Sequence, residues 1–355
     1  MEPRRLSSGP LPRISSGEPG ALIRMPDPDQ ISSSNAGETS PSPVVVLAGG
    51  VGAARFLQGV VQVVAPEHVT AIVNTGDDLD FHGLHVSPDV DIVMYTLAGL
   101  VDETKGWGIQ GDTFSCLHFL ARYGEETWFG LGDRDLATCL MRTKLLRSGR
   151  SLSEATDYLR RSLGVGVRLL PMTDAAVQTA IITPEGVLPF QEYFVKRRQQ
   201  DEVRGFRLNG VEKATPAPGV IEALYVAKAI LIAPSNPFVS IGTILQITGV
   251  RQALEARRDR VAAVSPIIGG AAVKGPAAQM LAGMGSEVSA CGVARLYQGI
   301  VGSWILDEVD ASLAGQVEAL GMRAIVAPTL MTGLAEKRAL AEVALRAVGA
   351  LATQP

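Results

Sequence analysis

Apolar positions along this chain fall into short unbroken runs set between stretches of helical period. Val44-Val-Val-Leu47 is the first run, and Val69-Thr-Ala-Ile-Val-Asn74 the second. Ala229-Ile-Leu-Ile-Ala233, Val261-Ala-Ala-Val264, Trp304-Ile-Leu306 and Ala324-Ile-Val-Ala327 repeat the pattern in the last third. Runs of this length that lack a polar alternation bury both faces. Helical text follows them, near Ala53, from Asp91 to Gly99, from Ile241, from about Pro276 and from Glu336 to Leu351. Strands buried on both sides and joined through helices predict an α/β fold, with a mostly parallel sheet and helices on both faces.

Two regions break the rhythm. Residues 112–170 read as helix after helix (Thr113 to Tyr123, Asp135 to Ser148, Ser151 to Leu163), with Ser151 and Glu154 at capping-box spacing. They predict a small all-helical insert domain, leaving 44–111 and 171–355 as the α/β body. Residues 177–215 bring β-type text, such as Val177 to Ile182 and Phe190 to Val195. Residues 1–43 are dense in Pro, Ser, Gly and Asn and predict a disordered tail, because they hold too little apolar surface to offset ordering entropy.

Composition narrows the functional classes. A net charge of −4 and 5% aromatic residues argue against nucleic-acid binding. No apolar run reaches the roughly 18 residues of a membrane span. Cys116, Cys139 and Cys291 are isolated, which predicts neither zinc nor disulfides and fits a reducing, cytoplasmic setting.

Candidate chemistry lies where the strands end. The first run breaks into Gly49, Gly50 and Gly52 and opens a helix. Such a turn gathers free amides at the positive end of a helix dipole, which suits a phosphate; a tight turn with no ligand is the plainer account. The second run ends in Asn74-Thr-Gly-Asp-Asp78. Adjacent carboxylates there fit Mg²⁺ bridging to diphosphate oxygens, or else a solvated turn. His82-Gly-Leu-His-Val-Ser-Pro-Asp-Val-Asp91 places Asp89 and Asp91 near a helix start, where carboxylates also cap. Pro234-Ser-Asn-Pro237 holds Ser235 and Asn236 on a rigid turn fixed by its two prolines. No triad motif is present, so the set points to phosphate cradling with metal electrostatics.

Taken in order, Leu47-Ala-Gly-Gly-Val-Gly-Ala-Ala-Arg-Phe56, Asn74-Thr-Gly-Asp-Asp78, Ser87-Pro-Asp-Val-Asp91, Trp107-Gly-Ile109, Leu131-Gly-Asp-Arg-Asp135, Leu169-Leu-Pro-Met172, Ala233-Pro-Ser-Asn-Pro237 and Ser265-Pro-Ile-Ile268 resemble the 2-phospho-L-lactate transferases of coenzyme F420 biosynthesis. The resemblance runs from about Val44 to the final helix. It implies a Rossmann-like domain with a small helical domain, a homodimer, and Mg²⁺ as cofactor. The implied reaction moves a phosphoenolpyruvyl or 2-phospho-L-lactyl group from a guanosine-diphosphate donor to the hydroxyl of the deazaflavin Fo, releasing GMP. By position, Asp77 and Asp78 match the metal site. Gly49, Gly50, Gly52, Ser235, Asn236 and Pro237 match the nucleotide site, and Asp91, His82 and Asp89 the Fo side. Asp77 and Asp91 are the implied catalytic pair. Two departures stand out. Gly130 replaces a basic residue of archaeal members, which leans toward the bacterial subgroup and the enolpyruvyl donor. Pro328 replaces the aspartate of the family's D-T-L-M. The rival reading is a non-catalytic nucleotide-sugar-binding regulator of the gluconeogenesis-factor type. Leu79-Asp-Phe-His-Gly83 stands here where that group carries a Gly-Gly-Ser-Ser-Gly run.

Overall fold

The computed structural model describes residues 43–352; the expected tail over 1–43 falls outside them, residue 43 apart. In chain order the strands are β1 (Val44–Ala48), β2 (Val69–Val73), β3 (Leu79–Phe81), β4 (Leu84–Val86), β5 (Arg168–Pro171), β6 (Gln178–Thr183), β7 (Gly186–Pro189), β8 (Gly205–Asn209), β9 (Ala229–Ile232), β10 (Val261–Val264), β11 (Ile267–Ile268), β12 (Ala271–Ala272), β13 (Ser303–Leu306) and β14 (Arg323–Val326). The first five helices are α1 (Gly50–Val60), α2 (Pro88–Leu97), α3 (Ser115–Arg122), α4 (Asp133–Arg147) and α5 (Leu152–Ser162).

Seven strands form one sheet in the order β14-β13-β10-β9-β1-β2-β5, and every pairing in it is parallel. Successive side chains face opposite ways. Val45 and Leu47 of β1 therefore enter one core with Ile230, Ile232 and Trp304, while Val44, Val46 and Ala48 enter the other with Leu231, Val264 and Ile305. α1, α2 and the helix Leu334–Ala347 cover the second face. Helices Val220–Val226, Ile241–Gln246 and Val250–Ala256 cover the first. The parallel sheet between two helical layers is the expected α/β architecture.

From β1 the chain steps outward to β2 and β5, then returns to β9 and steps the other way. The reversal lies between β1 and β9. Open α/β sheets bind ligands in the crevice beyond the strand ends at such a point.

Helices α3, α4 and α5 occupy the stretch read as helical, and the Ser151–Glu154 capping box forms in both directions. A β3–β4 hairpin not read from the sequence packs Phe81 and Val86 against Leu131 and Cys139. One reading is corrected: Phe190 to Val195 is not a strand, because Glu192–Lys196 makes a turn of π-helix. Phe190 stacks on Phe194 at 5.4 Å between centroids, a contact of residues four apart that an extended chain cannot make, and Tyr193 is sunk in the core. The β text of this region is instead a three-stranded antiparallel sheet, β7-β6-β8.

Candidate active site

The loops after β1, β2 and β9 meet at the reversal point. Ser235 Oγ donates to the Gly49 carbonyl at 2.7 Å, tying the β9 loop to the glycine turn. A Cβ on Gly52 would lie 2.4 Å from the Pro234 carbonyl oxygen, and one on Gly49 would lie 2.5 Å from Ser240 Cβ. These two glycines are therefore demanded by the chain's own packing, whatever ligand the loop takes. Gly50 adopts φ +71°, a left-handed conformation that favours glycine. Asn236 Oδ1 accepts from the Phe238 and Val239 amides, and its Nδ2 faces Met280 Sδ at 3.3 Å. Pro237 closes on the next helix, with its carbonyl 2.6 Å from where a Cβ on Gly242 would stand.

Asn74, at the end of β2, organises the acidic residues. Its Nδ2 donates to Asp77 Oδ1 and to Asp89 Oδ2, each at 2.9 Å. Its Oδ1 is fixed by the Gly76 amide and by Thr243 Oγ1. One carboxamide thus bridges two buried carboxyls that repel one another. Gln191, which precedes the π-helical turn, donates to Asp77 Oδ2 at 3.1 Å. Burial, then Asp89 and Asp78, push the Asp77 carboxyl well above the usual range. Burial pushes Asp89 to about 7, against hydrogen bonds from Asn74 and the Gly50 backbone. Asp89 is thus held at the glycine turn, while the helix-capping Ser87 sends its hydroxyl to Asp78 Oδ2 at 2.6 Å.

Asp78 Oδ2 also lies 3.0 Å from His85 Nε2, but its Oδ1 is buried without a partner. Among the described residues, no group of three or more His, Cys, Asp or Glu is arranged to ligate an ion alone. Mg²⁺ does not need one. It commonly takes one or two carboxylates and completes its shell with water and substrate phosphate. The unpartnered oxygen on Asp78 beside the Asp77 carboxyl fits that demand.

Asp77 and Asp78 open onto a cleft of about 360 Å³, walled by Phe81, Trp128 and Phe190. That volume falls in the range of small-molecule sites. His82 borders this wall, at 4.1 Å from the Phe81 ring, with a buried Nε2 that has no partner and a φ of 52°. Asp91 sits apart from the three other carboxyls. Both its oxygens face Arg142 of α4, a guanidinium with no exposed surface. Gly130, the position of the archaeal basic residue, lies under Trp107, whose Cη2 stands 3.1 Å from a Cβ there. At the Pro328 departure, Asp307 supplies a carboxylate, accepting from the Thr329 amide and hydroxyl at 2.8 Å each.

Asn74, Gln191 and Arg142 were not assigned roles from the sequence. Asn74 had a legible position, just ahead of two aspartates at a strand end. Gln191 and Arg142 approach from more than fifty residues away, and no local pattern marks them.

Comparison with known proteins adds lineage to this geometry. Residues 44–324 match the family model "2-phospho-L-lactate transferase CofD". The chain is 46% identical over 308 residues to a phosphoenolpyruvate transferase of Streptomyces griseus, covering 85% of this chain and 97% of that one. It is 39% identical to a 2-phospho-L-lactate transferase of Methanosarcina mazei, covering 86% of this chain and all of the relative. Among solved structures it is similar to a UPF0052 family member from Bacillus halodurans, with a TM-score of 0.62 at 16% identity over 87% of this chain and all of that one. That last likeness is one of fold.

Proposed function

As a member of the 2-phospho-L-lactate transferase CofD family, the chain is an enzyme of the transferase class, and we propose that it moves a phosphoenolpyruvyl group, or a 2-phospho-L-lactyl group, from a guanosine-diphosphate donor to the hydroxyl of the deazaflavin Fo. GMP leaves, and the product is dehydro-F420-0 or F420-0. The observation that carries the reading is the junction of Asp77 and Asp78 with an aromatic-walled cleft at the carboxyl edge of the sheet. The higher identity to bacterial relatives named for phosphoenolpyruvate favours the enolpyruvyl donor.

Asp77 and Asp78 would hold Mg²⁺. When bound, the ion neutralises charge on the donor's diphosphate and on the departing phosphate. The chain's own residues do the positioning. Asn74 and Gln191 fix both oxygens of Asp77. Ser87 and His85 fix Asp78 Oδ2 and leave Oδ1 without a partner. Phe81, Trp128 and Phe190 present flat apolar walls to a tricyclic ring and exclude water from the reacting face. The glycine turn with Ser235, Asn236 and Pro237 forms the floor for the nucleotide. Attack by the acceptor hydroxyl on the phosphorus beside the three-carbon acid is in line with departure of the GMP oxygen. Asp91 serves the acceptor side through Arg142, whose Nη1 also reaches the His85 carbonyl at 3.4 Å. His82 borders the aromatic wall, and Asp89 faces the glycine turn. A homodimer is part of the proposal and is read by light scattering.

The test is direct. Purified protein is incubated with Fo, Mg²⁺ and each donor, and product masses are read. Dehydro-F420-0 from the enolpyruvyl donor is expected. Absence of product with both donors, from folded protein, would refute the assignment.

A further inference from the structure

A second hollow, of about 120 Å³, lies between α1, α2 and the 101–106 loop. Arg55 and Lys337 line it, and Glu103 is its one acidic wall residue. Lys274 reaches the same rim, its Nζ 2.8 Å from where a Cβ on Gly106 would stand, with Val51 of α1 close by. Among the described residues, neither Arg55 nor Lys274 has a carboxylate within salt-bridge distance, and Glu103 pairs with neither. Lys337 is buried and donates only to the neutral Gln58 Oε1. Three cations thus gather at a small space, none of them paired with a carboxylate.

Their placement sharpens the point. Arg55 lies midway along α1, and Lys274 approaches from the Gly106 side with Val51 of the same helix nearby. The first turn of α1 carries no acidic residue of its own. Asp89 faces the glycine turn from α2, but Asn74 already engages it. Burial and the nearby Arg55 charge lower the Lys274 pKa, as expected of like charges left unneutralised. The hollow is too small for a nucleoside, being well below the roughly 300–1,000 Å³ of drug-sized sites, and suits a single phosphate or carboxylate.

We propose that Arg55, Lys274 and Lys337 form an anion subsite that grips a charged group of the donor, either a phosphate of its diphosphate or the carboxylate of its three-carbon acid. This rests on the transferase reading for the identity of the donor, though not for the existence of the subsite. The glycine turn borders the basic hollow: Gly50 faces Asp89, and Val51 lines the hollow one residue later.

The experiment compares wild type with Arg55→Gln, Lys274→Gln and the double variant, Arg55 being partly buried and Lys274 exposed, with Lys337 left intact to spare the core. Calorimetric titration uses GDP, inorganic phosphate and the enolpyruvyl donor, beside steady-state KM for donor and for Fo. Each single variant is expected to weaken donor binding about tenfold or more, from the typical worth of a charge-assisted hydrogen bond, with KM for Fo unchanged. Equal weakening toward GDP and phosphate assigns the subsite to the diphosphate. Weakening toward the donor with GDP unchanged assigns it to the acid carboxylate. Donor and phosphate affinities that stay at wild-type values in the double variant overturn the inference. If wild type makes no product yet GDP or phosphate binding falls in the variants, the subsite stands and the transferase assignment is what fails.

Discussion

Arg142 and Asp91 face each other across α4 and α2 as a buried ion pair, with Nη1 donating to Oδ2 at 3.0 Å and Nη2 donating to Oδ1. Burial works against the Arg142 charge, and Asp91 more than offsets it, so the guanidinium pKa rises. The pair locks α4 to α2, and Arg142 Nη1 also reaches the His85 carbonyl of β4. Asp91 is thus engaged by the protein itself, which moves its expected part in catalysis from direct contact toward positioning.

Removing one partner should therefore show in stability first. Arg142→Met leaves a buried carboxylate without its cation and should destabilise the fold by roughly 3–5 kcal/mol. Asp91→Asn should cost less, since the amide keeps an acceptor for the guanidinium. Urea unfolding of both variants checks the order, and equal stability of all three proteins would contradict it.

Asp77→Asn tests the metal role. Turnover should fall at least about a hundredfold, and the Mg²⁺ concentration for half-maximal activity should rise. Fold stability should hold or improve, because a carboxyl that burial disfavours when charged becomes a neutral amide. Normal turnover with unchanged Mg²⁺ dependence would remove Asp77 from the site.

Gly52→Ala tests whether the glycine turn is built by packing. Its Cβ would meet the Pro234 backbone oxygen at 2.4 Å, so the β9 loop must shift. A loss of about 1–3 kcal/mol is expected, together with weaker GDP binding. Gly99→Ala is the control: no atom lies within 4 Å of its Cβ, so any loss there comes from its φ of +70° alone.

Asp135 supplies a pH test away from the metal site. Burial, then Asp91, raise its pKa to about 6. A carboxyl with a folded-state pKa above its unfolded value near 3.9 binds more protons when folded. Its contribution to stability is thus most favourable below about pH 4 and is lost as pH rises through 6. Asp135→Asn should gain stability over wild type at pH 7.5, by up to roughly 2 kcal/mol, and lose that gain at pH 4. Matched denaturation curves at the two pH values decide it.

Much of the molecule was readable along the chain. Unbroken apolar runs such as Val44–Leu47 and Ala229–Ala233 mark strands buried on both faces, since burial on two sides removes the polar alternation. The Ser151–Glu154 cap is a contact over three residues and appears in sequence as it does in space. The aspartates were legible for the same reason, because polar residues directly after a buried strand must emerge at the sheet edge. Short β3 and β4 were missed, being too brief for a periodic signal. Phe190 to Val195 misled because aromatic and β-branched residues favour strands, and the pull of Tyr193 into the core outweighed that preference.

What only the tertiary structure decided is how each polar group is satisfied. Asn74 meets Asp89 across fifteen residues, Asp91 meets Arg142 across fifty-one, and Ser235 meets Gly49 across 186. A buried charge must find a partner wherever the fold brings one. That choice is made by strand order and helix packing, which periodicity does not encode. The local pattern of apolar and polar residues determined the layers and where their edges lie; which side chains hold one another at that edge was determined by the closure of distant segments around it.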